Sequence, residues 1–495
     1  MKLFEPLAVG PMRLENRIVL PAMVTRLSGE DGFVNQDIMD RYVRLAKGEP
    51  GLVVIEAMAI HGAKSGQLLR FGDDRFMEGH RELLRRMRAV SPSKIVPQII
   101  HFLKLAKSGW RQKVMDLSVE EIRLIVRQYG EAAERARRTG YDGVELHMAH
   151  AYTVSSFLSL RNLREDDYGG SLENRMRLMS EILIEVRRRV GGDFPMGVRF
   201  DGEECITDGY GLNDSAQMAL RMSKLGADWI SVSAGGKFED ALHKPGQAIY
   251  PYTGYSGDRC MPPRVYQDGY NAYLGAGIKA HLNQQGLKTP VVTTGKIRTA
   301  ELAENILAAG QADLVGLART LLADPDWPKK VRAGREDQVV RCISINVCKA
   351  LDENFKKVRC YLWPRGSLHA PESADSTPPS WPASGAGLRV FEEPKGHVRL
   401  SWSAAIDTEG VYGYWIERSA EGAAWEIVSA VRADMHTTFQ DSTAVAGTGY
   451  RYRVRAYDLA GNKSAPSNVA EIALRIPALK ESDAHPSGRA LQENP

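Results

Sequence analysis

Three side chains in one short stretch, His147-Met-Ala-His150-Ala-Tyr152, are of the types that carbonyl chemistry needs. An imidazole N–H donates to a carbonyl oxygen. A phenol, with a reference pKa near 10, keeps its proton at neutral pH until an enolate-like carbon takes it. Two imidazoles are also a candidate metal pair, but no neighbouring acid or cysteine completes a zinc-like set. Sequence position alone does not separate catalysis from an ordinary polar strand end.

The elements around the stretch decide where it would sit. The first 335 residues alternate short apolar, β-branched runs with helix-patterned segments. Eight runs read as strands: Ile18–Met23, Gly51–Ala57, Lys94–Ile100, Gly143–Ala149, Pro195–Phe200, Trp229–Gly235, Pro290–Gly295 and Leu314–Arg319. Continuous apolar runs of this length suit parallel strands buried on both faces. The clearest helix covers 119–138. Ser118 and Glu121 form a capping box, Ile122, Ile125, Val126, Tyr129, Ala133 and Ala136 make an apolar stripe, and Gly140 closes it. Eight such βα units predict an α/β fold, a (β/α)₈ TIM barrel; an open doubly wound sheet seldom needs so many. The histidine–tyrosine stretch then leaves the fourth strand at its carboxyl end, the face where TIM-barrel active sites lie.

The same face collects further groups. The loops after strands seven and eight, where TIM barrels usually bind phosphate, are Thr294-Gly295-Lys296 and Ala318-Arg319. Gly295 allows close backbone approach to an anion, and Arg319 suits a bidentate grip. Gln98 ends the third strand with an amide that donates and accepts at once; Arg199 ends the fifth with a cation that could stabilise developing negative charge. Each, taken singly, is also an ordinary polar strand end.

The run from His147 to Tyr152, continued by Phe157-Leu-Ser, Asn162-Leu-Arg164-Glu-Asp166-Asp-Tyr168 and Gly169-Gly-Ser171, resembles the signature of the Old Yellow Enzyme (NADH:flavin oxidoreductase) family. The resemblance covers about residues 2–365. It implies an FMN-dependent ene-reductase driven by NADH or NADPH and acting on an enone or enal. His147 and His150 would bind the substrate carbonyl and Tyr152 would protonate the alpha carbon. Gln98 and Arg199 match flavin-contacting positions. Met23, Val24, Ala57, Gly295, Lys296, Ala318 and Arg319 complete the implied flavin site. Departures are Leu160 for the usual Pro, Ala318 for a common Gly, an exchanged Pro21-Ala22, and Val24 where Thr or Cys is frequent. Thr25 is the adjacent alternative to Val24. Substrate choice is assigned to loops that include 236–268, with Tyr250, Tyr252 and Tyr255.

Cys342, Cys348 and Cys360 resemble part of the four-cysteine iron–sulfur motif of larger family members, but Ile345 occupies the second position and cannot ligate iron. No GxGxxG follows residue 365 to mark a nucleotide-binding domain that would exchange electrons with a cluster. The expectation is FMN and no cluster, with 1–340 the barrel and 341–365 a degenerate extension.

Residues 366–386 are rich in Ser, Pro, Ala and Gly and read as a linker. Over 387–475 the periodicity becomes two, as in Tyr450-Arg-Tyr-Arg-Val-Arg-Ala-Tyr457. This predicts a small all-β, immunoglobulin-like sandwich, and Trp402 with the Tyr450–Val454 run resembles a fibronectin type III module. The polar tail 476–495 is expected to be disordered.

A net charge of +4 is too small for this length to suggest a nucleic-acid partner. No apolar run approaches the roughly 20 residues that span a bilayer. Glu5, Pro6 and Pro11 interrupt any signal-peptide core, so a cytoplasmic location with cysteines kept as thiols is expected. Oligomeric state is left open, a homo-oligomer included. Two alternatives stand beside the ene-reductase: a flavin-dependent amine or ether dehydrogenase or demethylase, against which Ile345 counts, and a non-catalytic scaffold that binds through the sandwich.

Overall fold

In the computed structural model, the short apolar runs become eight parallel strands: β1 (Ile18–Leu20), β2 (Leu52–Ala59), β3 (Lys94–Ile100), β4 (Val144–Met148), β5 (Met196–Asp201), β6 (Trp229–Ser233), β7 (Val291–Thr293) and β8 (Leu314–Gly316). They close in the order β8-β1-β2-β3-β4-β5-β6-β7, a TIM barrel. The structure describes residues 1–62, 66–104, 112–237, 257–420 and 422–475. Tyr250, Tyr252 and Tyr255 of the expected specificity stretch, and the tail 476–495, lie outside the described residues.

Every residue of β2 and of β4 through β8 is buried, which is why their sequences show continuous apolar runs rather than alternation. Helices α1 (Gln36–Ala46), α2 (Met77–Arg88), α3 (Val119–Thr139), α4 (Arg177–Val190), α5 (Leu212–Lys224), α6 (Ala272–Gln284) and α7 (Ala300–Ala308) follow the first seven strands. The capping box of α3 forms as the sequence predicts. Ser118 Oγ accepts from the Glu121 N–H, Glu121 accepts from the Ser118 N–H, and Gly140 ends the helix at φ +97°. A side chain at that φ would be strained.

Strand ends fall short of the expectation in five strands, with β4 ending at Met148 and β6 at Ser233 among them. β1 stops at Leu20 because Pro21 has no N–H for the ladder. β7 stops at Thr293, before Gly295 turns to φ +116°. β8 stops at Gly316, and Ala318 and Arg319 begin a short helix, α8 (Ala318–Ala323), instead of extending the strand.

Across β5 and β6, Gly197 lies opposite Trp229. A Cβ on Gly197 would meet the indole at 1.8 Å, and Trp229 is fully buried. The Gly197→Ala variant is therefore expected to lose about 1–3 kcal/mol, the usual cost of overpacking, or more if the indole cannot move. Thermal unfolding checks this.

The chain divides into two compact units, Met1–Glu372 and Ser373–Pro495. The cysteine-bearing extension thus belongs to the first unit, and the second begins within the expected linker. There Trp381 stacks on Tyr414 and donates its indole N–H to the Ala465 carbonyl (2.8 Å). The second unit holds two antiparallel sheets. One is β9 (Arg389–Glu393), β10 (His397–Ser401) and β13 (Thr438–Asp441). The other is β12 (Glu426–Arg432), β11 (Gly413–Ala420), β14 (Gly449–Tyr457) and β15 (Ala470–Ala473), in that order. Val398, Leu400, Trp402, Tyr414, Ile416, Tyr452 and Val454 share one core between them, the inward half of the period-two pattern. Trp402 and Tyr414 belong to that core, and Trp415 is buried on the other face of β11, stacked on Tyr457 with centroids 4.9 Å apart. Trp425 is half-buried, with the Arg453 guanidinium 4.3 Å from its ring centroid. No helix among the described residues is long and apolar enough to cross a membrane.

Candidate active site

One cavity of about 890 Å³ opens at the carboxyl ends of the barrel strands. That is at the upper end of the range for cofactor and ligand sites. All eight strands or the segments just after them contribute to its wall: Pro21–Val24 after β1, Ala57 in β2, Gln98 in β3, His147, His150 and Tyr152 from β4, Arg199 in β5, Lys237 after β6, Thr294–Arg298 after β7, and Gly316–Thr320 at β8. The twelve residues selected from the sequence all line this one cavity.

The histidine pair is built on a strained turn. His150 and Ala151 have φ of +60° and +56°, a conformation that costs a non-glycine residue of order 1–2 kcal/mol. Two contacts hold it. The His150 N–H donates to Asp201 Oδ2 (2.7 Å), and Gly236 forms a parallel bridge to His150. Ser155 Oγ donates to the same Asp201 oxygen (3.2 Å). Burial drives the Asp201 carboxyl well above the usual carboxylate range, toward its neutral form.

The hydrogen bonds fix the tautomers. The Ala149 N–H donates to His147 Nδ1 (3.3 Å), so in a neutral ring Nε2 carries the proton. His147 Nε2 then donates to His150 Nδ1 (3.2 Å), and His150 Nε2 donates to Ser233 Oγ (2.7 Å). Burial, aided by neighbouring positive charges such as Arg199, holds both rings well below the usual imidazole range, so both are neutral at pH 7. The Tyr152 ring stands edge-on to His147, with centroids 5.3 Å apart.

Beside this group, Gln98 Nε2 donates to Glu145 Oε1 (2.7 Å), and Trp229 Nε1 donates to Glu145 Oε2 (3.1 Å). Glu145 thereby sets the orientation of the Gln98 amide. The Arg199 guanidinium donates to Ser231 Oγ (2.9 Å) and Ser233 Oγ (3.1 Å). Ser233 thus joins Arg199 to His150. Glu145, Asp201, Ser231 and Ser233 were not selected from the sequence. The available signal was spacing: each lies two residues from a chosen residue, or from one another, on an inward strand face.

Beyond β7 and β8 the wall is cationic. Lys296 Nζ donates to the carbonyl of Arg264 (2.9 Å) and to that of Tyr266, and lies 3.6 Å from Asp268. Arg319 donates to the Pro262 carbonyl (2.9 Å) and to Asn346. Ser344 Oγ, on the same wall, is buried without a hydrogen-bond partner. Thr25 does not stand in for Val24. It is buried away from the cavity, with its N–H on Glu56 and its hydroxyl accepting from Leu27.

Among the described residues, none of the five cysteines forms a disulfide. Cys342 and Cys348 line the cavity, whereas Cys360 packs with Cys348 against Leu322 and Trp363. Burial pushes the Cys348 thiol up to about 11 and Cys360 well above the usual thiol range. Ile345 is 41% exposed.

The chain matches the NADH:flavin oxidoreductase / NADH oxidase family over residues 2–108 and 67–338. It belongs to that family. It is 35% identical over 366 residues to an NADH oxidase of Thermoanaerobacter brockii, covering 70% of this chain and 53% of the relative. It is 32% identical over 345 residues to an NADPH dehydrogenase of Bacillus licheniformis, covering 66% of this chain and 93% of that protein. The chain thus spans about half the length of the Thermoanaerobacter relative and nearly all of the Bacillus one. A solved 2-naphthoyl-CoA reductase complex shares the fold at a TM-score of 0.63 and 24% identity, covering 72% of this chain and 56% of that one.

Proposed function

We propose that this family member is an FMN-dependent, NAD(P)H-driven ene-reductase that saturates the C=C bond of an α,β-unsaturated carbonyl compound. The observation that carries the reading is the single cavity that gathers a neutral histidine pair, a phenol, an amide and a guanidinium opposite a cationic wall.

The residues fit FMN on their own chemistry. Arg319 and Lys296 suit a phosphate, with Gly295 leaving the backbone open to close approach. The Gln98 amide, oriented by Glu145, and the Arg199 guanidinium suit the polar edge of the ring system. Met23, Val24, Ala57 and Ala318 supply the apolar wall, and the unpartnered Ser344 hydroxyl is a group that a ligand would satisfy. FMN, when bound, supplies the hydride chemistry between NAD(P)H and the substrate carbon.

The protein's own contribution is polarisation and proton delivery. The His147 Nε2–H is the donor for which a substrate carbonyl competes with His150, while the His150–Ser233 bond keeps the second ring in place. Tyr152 holds the proton for the alpha carbon.

The test is an anaerobic titration of the FMN-loaded protein followed by visible absorption. NADH or NADPH should bleach the flavin band and a cyclic enone should restore it. A band bleached by an amine and not by a nicotinamide would overturn the reading in favour of amine oxidation.

Neutral buried histidines also predict a pH profile. Because both folded pKa values lie well below 6.5, His147 and His150 stay uncharged as pH falls through 6.5. Enone turnover should therefore show no acid limb near 6.5. The unfolded chain does take up protons there, so each ring withdraws stability as pH falls below about 6.5, toward its folded value. A kcat/KM profile over this range checks the first point.

A further inference from the structure

Lys237 plays no part in the reading above, yet it stands at the centre of the substrate-facing group. Its ammonium lies 4.0 Å from the centroid of the Tyr152 ring, on the wall of the cavity. The placement is built in. Gly236 bridges to His150 so closely that a Cβ there would meet the His150 carbonyl carbon at 2.7 Å and the Ala151 nitrogen at 2.9 Å. Only glycine lets the chain pass here, and the next residue is thereby laid against Tyr152.

The charge around the cavity is one-sided. Among the described residues its wall carries eight lysine and arginine side chains and two carboxylates, Glu30 and Asp352. Several cations are matched by acids: Arg26 by Asp352 (2.7 Å), Lys349 by Asp258 (2.6 Å) and Arg298 by Asp268 (2.9 Å). A phosphate near Arg319 and Lys296 would draw on the wall beyond β7 and β8, across the barrel from β4. Lys237 is at the histidine end, where its charge also reaches both rings and helps to keep them neutral. An ammonium in a cavity partly shielded from solvent is worth more to an anion than the same group in water.

We propose that Lys237 selects an anionic substrate: an α,β-unsaturated carbonyl compound that also carries a carboxylate. This rests on the ene-reductase reading and names its substrate class. In the overall reaction NAD(P)H supplies the hydride for the beta carbon, the alpha carbon gains a proton, and NAD(P)⁺ leaves. The carboxylate is unchanged and serves only for recognition.

The experiment compares 4-oxo-4-phenylbut-2-enoate with its methyl ester, which keeps the enone and removes the charge. The holoenzyme should prefer the acid by about tenfold or more in kcat/KM, through KM, and the preference should shrink as salt is raised. Lys237→Met keeps most of the aliphatic stem and should abolish the preference, bringing the acid's kcat/KM to the ester's measured on the same variant. Lys237→Arg should retain it. Equal kcat/KM for acid and ester in the wild type, or a preference that survives Lys237→Met, overturns the proposal. So does a Lys237→Met loss shared equally by acid and ester, which would make Lys237 a partner of Tyr152 alone. If neither compound restores the reduced flavin band, the ene-reductase reading itself fails. Titration of the saturated acid and ester by the flavin difference spectrum then still decides whether Lys237 distinguishes the charge.

Discussion

Tyr152→Phe is expected to lower enone turnover by about 10²–10⁴-fold, the usual contribution of a positioned proton donor. Reduction of the flavin by NAD(P)H should remain within a few-fold of wild type. The reason is the division of labour in the cavity. The phenol's ring packs edge-on to His147 and beneath Lys237, and phenylalanine preserves both contacts. Only the hydroxyl, with the one proton the reading assigns to the alpha carbon, is lost. Stopped-flow absorption separates the two half-reactions. A variant slowed only in the enone half supports Tyr152 as the donor. Full turnover would assign the proton to another group or to water. Slowing of both halves would mean that the hydroxyl positions the site instead.

The barrel was legible in the sequence because burial on both faces leaves a crude but strong signal. β3 runs from Lys94 to Ile100 as read, and the α3 cap forms from the residues that predicted it. The candidate site residues were legible because His147, His150 and Tyr152 sit in a distinctive run, and they line one cavity. Their supports were not. Ser231 and Ser233 are small polar residues inside an apolar strand, and nothing local says that they face Arg199. That follows only when β5 and β6 pair with Arg199 opposite Ser231 and Asp201 opposite Ser233. Glu145 has the same character. A charged residue in a buried strand is a signal, but its partners Gln98 and Trp229 come from β3 and β6, on either side of β4 in sequence. Lys237 and Gly236 escaped for a different reason. Their meaning lies in a close backbone approach between the ends of β4 and β6, which closure of the barrel creates. The strand ends were overextended at β1 and β8 because apolar residues continue past them, although Pro21 and the start of α8 end the ladder.

Arg199→Met should have the second large effect, and its partner makes the prediction specific. Arg199 is almost fully buried, holds Ser231 and Ser233, and is the nearby cation that offsets the burial of Glu145. Removing it withdraws a preplaced positive charge from the site, and losses of about 10²–10³-fold are typical for such groups. The loss should appear in the rate of flavin reduction by NAD(P)H and in weaker FMN retention. The variant also leaves Glu145 buried without that compensation. Burial already raises the Glu145 carboxyl above the usual carboxylate range, and loss of Arg199 should raise it further, so that it is neutral at pH 7. Such a carboxyl can donate as well as accept, and Gln98 loses its fixed orientation. Adding Glu145→Gln removes the orphaned ionisable group while keeping its shape. The double variant should regain stability relative to Arg199→Met, but neither FMN affinity nor rate, because the new amide also donates as well as accepts and the charge is still missing. Thermal unfolding, FMN fluorescence titration and stopped-flow reduction of the two variants measure the three quantities separately. Strict additivity of the two substitutions would show that Arg199 and Glu145 act independently, and would sink the coupling argued here.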